Sequence, residues 1–243
     1  MSNLSTNSDH PENGSRRVAL CVWGLAEEGS GRGVDVAVRP KAFEYEDAVP
    51  EPTAQYLWPQ VLALCGEIRP GMRVLDVGCG NGYMCGQFLE RRCAVVGTDL
   101  SEDGIAIARQ TYPAGRFEVM PADEKLLDRL GERPFDLVIS TEVVEHLYAP
   151  RPYAKGCYDA LRMGGRFICS TPYHGYLKWV ALAISGAVDA HVGALWDGGH
   201  IKFWSRRTLT ELLTEVGFSN LQFRGAGRLP YLWMSMVMSA DRV

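Results

Sequence analysis

Basic charge is what this sequence is short of. Its 243 residues hold 25 Lys and Arg against 29 Asp and Glu, a formal net charge of −4. A nucleic-acid binder carries a basic excess or a basic stripe. Here the cations gather only into pairs, Arg16-Arg17, Arg91-Arg92 and Arg206-Arg207, which read as solvated surface, so no nucleic-acid partner is expected. No C-x-x-C occurs among the seven cysteines. An odd count without paired spacing argues against a disulfide framework and a zinc site. Free, buried thiols in a reducing cytoplasm are the expectation. Long apolar runs are also missing. The longest, residues 179–188, is far short of the roughly 20 residues that span a bilayer. The polar N-terminus has no apolar stretch of the signal-peptide kind.

What is present is apolar material for a core, 47% of residues. At roughly 100–200 residues per domain, the length fits one large domain or one domain with attachments. Residues 1–42 are set apart as an N-terminal arm. Its first fifteen positions are polar and offer nothing to bury, and residues 18–23 and 34–38 are two candidate short strands. Residues 43–243 form the main domain.

That domain is organised around R-V-L-D-V-G-C-G-N-G, residues 73–82. A short apolar run stops abruptly in a turn with Gly78, Gly80 and Gly82 at alternate positions. Without a Cβ such a turn can bend tightly and bring its backbone against a ligand. A strand that ends in this way and enters a helix is the usual cradle for a nucleotide-like cofactor.

Further apolar runs at 94–97, 116–120, 137–140, 166–170, 218–224 and 232–238 read as strands. Helical spacing is visible over 53–65, 83–91, 101–111, 126–130, 153–161 and 205–216. Strands and helices alternate until the last two strands, which have no helix between them. An α/β fold with a doubly wound seven-stranded sheet follows, mostly parallel with a C-terminal antiparallel hairpin. Residues 173–204 interrupt the alternation as an insert.

The glycine spacing is G-x-G-x-G. Tyr83 stands where a dinucleotide fold has its third glycine. Asp99 ends the second strand, where an acid can accept from both ribose hydroxyls. Asp123 ends the third, where a carboxylate beside backbone amides suits an adenine amino group. A single acid at a strand end is often a helix cap; two in succession after a glycine loop are harder to explain that way.

These residues, with V-V-G-T-D-L-S, P-A-D-E, F-D-L-V-I-S-T-E-V-V-E-H and L-R-M-G-G-R-F-I-C-S-T-P, resemble the class I S-adenosylmethionine-dependent methyltransferases, with their Rossmann-like fold, over about residues 43–240. The resemblance implies a cofactor site of Asp76, Gly78, Cys79, Gly80 and Gly82 around the methionine part and Asp99 and Leu100 at the ribose. Ala122 and Asp123 would hold the adenine, and Thr141 and Glu142 would stand near the sulfonium. E-V-V-E-H at 142–146 and T-P-Y-H-G-Y-L-K at 171–178 are similar to the small-molecule branch. That branch includes the ubiquinone-biosynthesis O-methyltransferases and natural-product enzymes, antibiotic pathways among them, and more distantly the mitomycin-type N-methyltransferases. A small phenolic or quinone-like acceptor is implied. A catalytically silent S-adenosylmethionine-binding module and a macromolecule methyltransferase are the alternatives. The intact acids at 76, 99 and 123 argue against the first, and acidic balance against the second.

Methyl transfer needs mainly proximity and orientation, with a general base where the acceptor is a hydroxyl. His146, after the fourth strand, is the first candidate, and its alternative is a structural histidine. Tyr173, His174 and His200 in the insert are the others. Residues 177–188 carry an apolar stripe and read as a lid helix ahead of a helix packed on the sheet edge or an interfacial membrane contact. His191, Asp197 and His200 lack a compact metal-ligand spacing, so no metal is expected.

Overall fold

The computed structural model describes residues 45–196 and 199–243. The candidate strands at 18–23 and 34–38, and Asp197, lie outside them. Seven strands form one sheet in the order β3-β2-β1-β4-β5-β7-β6. They are β1 (Arg73–Val77), β2 (Ala94–Asp99), β3 (Arg116–Val119), β4 (Phe135–Thr141), β5 (Leu161–Pro172), β6 (Ser219–Ala226) and β7 (Ser235–Asp241). β1 to β5 pair in parallel. β7 enters between β5 and β6 and runs antiparallel to both. The doubly wound sheet with its terminal hairpin is as the alternation implied.

Helices cover both faces, as parallel strands require. One face carries α1 (Pro52–Cys65), α2 (Tyr83–Leu89) and α3 (Glu102–Thr111), with Leu57, Phe88 and Ile105 in one core cluster. The other carries α4 (Leu126–Leu130), α5 (Pro150–Ala160) and α8 (Arg206–Val216), with Leu126, Tyr153 and Leu209 in a second cluster. The strands divide their side chains between the two with period 2. In β5, Phe167 and Cys169 belong to one cluster and Ile168 to the other.

Three boundaries depart from the apolar pattern. β5 begins at Leu161 and takes in Gly164-Gly165, because the Gly164 amide donates to the Arg242 carbonyl at 2.7 Å and the Arg242 amide to that of Gly165 at 2.9 Å. β7 runs from Ser235 to Asp241, the apolar run shifted three residues toward the C-terminus. The expected helix at 177–188 is two helices, α6 (Tyr176–Ile184) and α7 (Val188–Val192). Gly186, at φ 68°, breaks them, since that backbone conformation stops a helix at low cost only for glycine.

Gly156 on α5 couples the core to the cofactor edge. A Cβ there would stand 2.0 Å from the Asp123 carbonyl oxygen, on the turn between β3 and α4. Gly156→Ala should cost about 2–3 kcal/mol of stability through overpacking and push that turn away from the sheet. A thermal unfolding midpoint equal to the parent's would contradict the contact.

Candidate active site

β1, β2 and β4 share a direction, so their carboxyl ends meet at one edge, where open α/β sheets bind ligands. The loop after β1 folds back over β2. The amides of Gly78 and Cys79 donate to the Thr98 carbonyl at 2.7 and 3.0 Å. Gly80 N–H donates to Asp99 Oδ2 at 2.8 Å, and Ser101 N–H donates to Asp99 Oδ1 at 2.8 Å. Buried Asp99 thus clamps the loop with one oxygen and the start of α3 with the other. Gly78 sits at φ +80°, and a Cβ there would lie 2.3 Å from Val143 Cγ2, so the loop passes where no side chain fits.

A segment that sequence reasoning left unassigned covers this loop. Asn81 Nδ2 donates to the carbonyls of Asp47 and Val49 at 3.1 and 3.0 Å. Tyr45 lies against Gly80, where a Cβ would come within 2.2 Å of its hydroxyl. The aromatic-acidic F-E-Y-E-D text was the available signal, but it has no periodicity to read.

The cavity between loop, α1 and the end of β4 is lined by Gly78, Cys79, Asp99, Thr141 and Glu142 of the expected set, together with Glu51. Among the described residues three carboxylates line it and no Lys, Arg or His. A pyrophosphate would meet like charge there, whereas a cationic sulfonium meets its complement. The residues present therefore fit S-adenosylmethionine and not a dinucleotide. The remaining members of the set stand around this wall. Asp76 is buried beneath the loop and accepts from Cys85 Sγ at 3.3 Å. Burial pushes its carboxyl up to about 7 against that hydrogen bond, and the Asp99 charge adds to the rise. Gly82 is the left-handed N-cap of α2, Leu100 is half-buried, and Ala122 belongs to the core. Asp123 accepts from Lys125 N–H at 2.9 Å and from Arg129 Nη2 at 2.8 Å, so in this structure it shapes the turn into α4. The six cysteines among the described residues are free and buried.

A second, larger cavity of about 770 Å³ opens on the other side of Glu142. Thr53 and Glu142 line both cavities. Glu142 has φ 56°, a left-handed conformation that a non-glycine residue holds at a cost of about 1–3 kcal/mol. Ser170 fixes it. The Glu142 amide donates to the Ser170 carbonyl and to its Oγ, both at 3.1 Å. Ser170 Oγ donates to Oε1 at 2.7 Å and Ser235 Oγ to Oε2 at 3.2 Å, with Tyr56 Oη 3.3 Å from Ser235 Oγ. Burial raises the Glu142 carboxyl to about 7, opposed by the two serines and by Lys178.

The expected base candidates fall in different places. His200 lines the large cavity, as does His191. His146 is buried in the short helical turn Val144–His146. Its ring centroid is 5.0 Å from that of His200, and its Nε2 lies 3.9 Å from Glu145 Oε1. Tyr173 packs on Trp233 and Phe223. Buried His174 is stacked on Trp179 at 5.4 Å and meets Phe203 edge-on at 5.0 Å. Glu145, which sequence reasoning did not single out, accepts from the amides of Ile201 and Lys202 through its carbonyl and so draws the end of the insert onto the sheet edge. Glu145, His146 and His200 place a carboxylate oxygen and two ring nitrogens within 4.8 Å of one another. This donor set has the composition that would suit a divalent cation. The ligand-type spacing was invisible because His200 reaches the other two only through the fold of the insert.

Burial, with Lys178, His191 and His200 adding to it, drives His174 down to about 3 from 6.5. The unfolded chain then binds a proton that the folded chain refuses. The resulting stability is complete above the unfolded value and is lost as pH falls from 6.5 toward 3. Raised carboxylates such as Asp76 act in the opposite sense over part of that window, so the comparison is made by difference. The advantage of the parent over His174→Phe in unfolding midpoint should shrink steadily below the ordinary histidine range. A constant difference would refute a neutral buried imidazole.

A parallel sheet with β7 reversed between β5 and β6, a glycine loop clamped by a strand-end carboxylate, and a carboxylate-lined cofactor cavity together define a class I S-adenosylmethionine-dependent methyltransferase. The family model for the methyltransferase domain matches residues 52–223, and the chain belongs to that family. It is 32% identical over 182 residues, 72% of each chain, to the ubiquinone biosynthesis O-methyltransferase of Ruegeria pomeroyi. It is 34% identical over 159 residues to the enzyme of that name from Dinoroseobacter shibae, covering 64% of this chain and 63% of the relative. The fold is shared with the magnesium protoporphyrin IX methyltransferase of Synechocystis, solved with bound SAH (TM-score 0.57, 20% identity, 76% of this chain and 80% of the other). It is also shared with an S-adenosylmethionine-dependent methyltransferase of Mesorhizobium loti (TM-score 0.55, 22% identity, 76% and 97%). S-adenosylmethionine is the cofactor. No helix among the described residues is long and apolar enough to cross a membrane.

Proposed function

We propose that the enzyme methylates a hydroxyl of an apolar, phenolic small molecule held in the large cavity, and that Glu142 takes the hydroxyl proton. The observation that carries this is the position of Glu142 as a wall of both cavities. The apolar side of the large cavity, with Leu182, Leu229, Leu232 and Trp233, suits an alkylated or fused ring. The names of the curated relatives favour oxygen over nitrogen, and a neutral amine would need no base.

S-adenosylmethionine supplies the methyl group on a positively charged sulfur, so the acceptor oxygen needs only alignment and removal of its proton. The Thr53 and Glu142 junction orients the oxygen, and the proton passes to the Glu142 carboxylate. Two serine hydroxyls and Lys178 oppose the rise caused by burial, which leaves the carboxyl near 7, where a general base is effective at neutral pH. His200, on the same cavity, is pushed down to about 4 mainly by burial, and serves as a neutral hydrogen-bonding group.

In this reading the insert is a lid. Ala181, Leu182 and Ser185 of α6 and its C-terminal end roof the cavity, while no residue of α6 is fully buried, as befits an element that moves to admit substrate. The experiment is a turnover assay with S-adenosylmethionine and matched alkylcatechol and alkylaniline acceptors, followed by NMR of the product. A methoxy product is expected. Transfer to nitrogen alone would overturn the reading.

A further inference from the structure

Of the carboxylates that line the cofactor cavity, two have attachments. Asp99 is fixed at the end of β2 by two backbone amides, and Glu142 is held by Ser170 and Ser235 at the junction with the large cavity. Glu51 lines the same cavity without such a hold. It is the N-cap residue of α1, yet its side chain makes no capping hydrogen bond, and glutamate is not among the residue types that cap well. Among the described residues its carboxylate has no ion-pair or hydrogen-bond partner. The chain presents Glu51 from a stiff segment. It stands between Pro50 and Pro52, and a following proline confines a residue to extended backbone, here φ −52° and ψ 143°. Upstream, Asn81 of the glycine loop donates to the carbonyls of Asp47 and Val49. Glu51 is therefore positioned by the loop on one side and by α1 on the other. Burial pushes its carboxyl above the ordinary range, with exposed Asp47 adding to the rise. A carboxylate kept partly from water with no cation beside it costs free energy, and a bound cation relieves that cost.

We infer that Glu51 binds the α-ammonium of the cofactor's methionine part. S-adenosylmethionine offers two cations, the sulfonium and that ammonium. The sulfonium carries the methyl group and so belongs beside Glu142, where the cofactor cavity meets the large one. This rests on the reading of Glu142 as the wall that the methyl group crosses. With Asp99 as the acceptor for the ribose, the ammonium is the cation without an acid. Glu51, on the α1 side of the cavity beside Thr53 and Ala54, is the acid without a cation. An ammonium–carboxylate contact is charge-assisted, and here it would tie the cofactor to the segment that covers the glycine loop.

The test compares S-adenosylhomocysteine with its desamino analogue, which lacks only the ammonium. The sulfur is neutral in both, so the sulfonium does not enter the comparison. Calorimetry is run on the full chain, parent and Glu51→Gln. The substitution should weaken S-adenosylhomocysteine at least about tenfold, the effect of one charged hydrogen-bonded contact. The desamino analogue should bind as tightly as before or slightly more so, which also reports that the variant is folded. Equal losses for the two ligands overturn the inference, since they mark an effect on the shape of the site. S-adenosylhomocysteine bound as tightly as by the parent also overturns it, including where the desamino analogue alone gains, the mark of a distant field. Glu142→Gln separates the two readings. A parent-like single-turnover rate in Glu142→Gln, with Glu51→Gln behaving as expected, removes the reading of Glu142 and leaves the ammonium contact standing. A slowed Glu142→Gln, with S-adenosylhomocysteine unaffected by Glu51→Gln, removes the contact alone.

Discussion

Asp99→Ala is expected to lower the affinity for S-adenosylhomocysteine by at least about a hundredfold, the loss of a charged acceptor with more than one partner. Two effects add. The carboxylate is the acceptor that the ribose hydroxyls would use, and it also receives Gly80 N–H and Ser101 N–H at 2.8 Å each. Without it, two buried amides lose their partner, and the loop that follows β1 is no longer tied to β2 at that point. The N-cap of α3 survives through Ser101 Oγ, which accepts from Gly104 N–H at 3.1 Å, so the helix should persist by circular dichroism. Asp99→Asn should be nearly as damaging, because one side-chain oxygen cannot replace two and the amide nitrogen would face a backbone N–H. Calorimetric affinity equal to the parent's in a folded variant would remove Asp99 from the cofactor site.

The glycine loop was legible because its determinants are local. Gly78, Gly80 and Gly82 announce backbone conformations that the structure uses at φ +80°, +51° and +83°, and Asp99 is placed by the end of a short apolar strand. The fold followed from the same kind of signal, an alternation of apolar runs whose period reports strand or helix directly. The large cavity was not legible in this way. Glu142 is held by serines 28 and 93 residues away, and Arg228 reaches the cavity from a turn with no apolar period. His146 was the first base candidate because it follows β4. Its place in a tight helical turn directs it into a buried cluster with Glu145 and His200, a packing outcome that no spacing rule encodes. Asp123 shows the reverse ambiguity: capping a turn and holding an adenine ask for the same residue at the same strand end, and its contacts to Lys125 and Arg129 are compatible with both.

Glu142→Gln should reduce the single-turnover rate of methyl transfer by about 10²–10⁴-fold, the usual contribution of a positioned base. The amide keeps the shape of the side chain and an acceptor for one serine, while the other serine can turn to accept from the new NH₂. The loop at φ 56° should therefore persist, and affinity for S-adenosylhomocysteine should stay within a few fold. The pH profile separates a base from a spacer. The carboxylate is the active form, so the parent's rate should rise with pH and level off above about 7, the value to which burial raises this group, whereas the Gln variant should show no such limb. Ser235→Ala removes a hydrogen bond that favours the ionised form, so its limb should move to higher pH while the plateau is approached at higher alkalinity. A shift the other way, or a parent rate that ignores pH across the neutral range, would leave Glu142 as an orienting group only. Single-turnover conditions matter because product release can hide the chemical step in kcat.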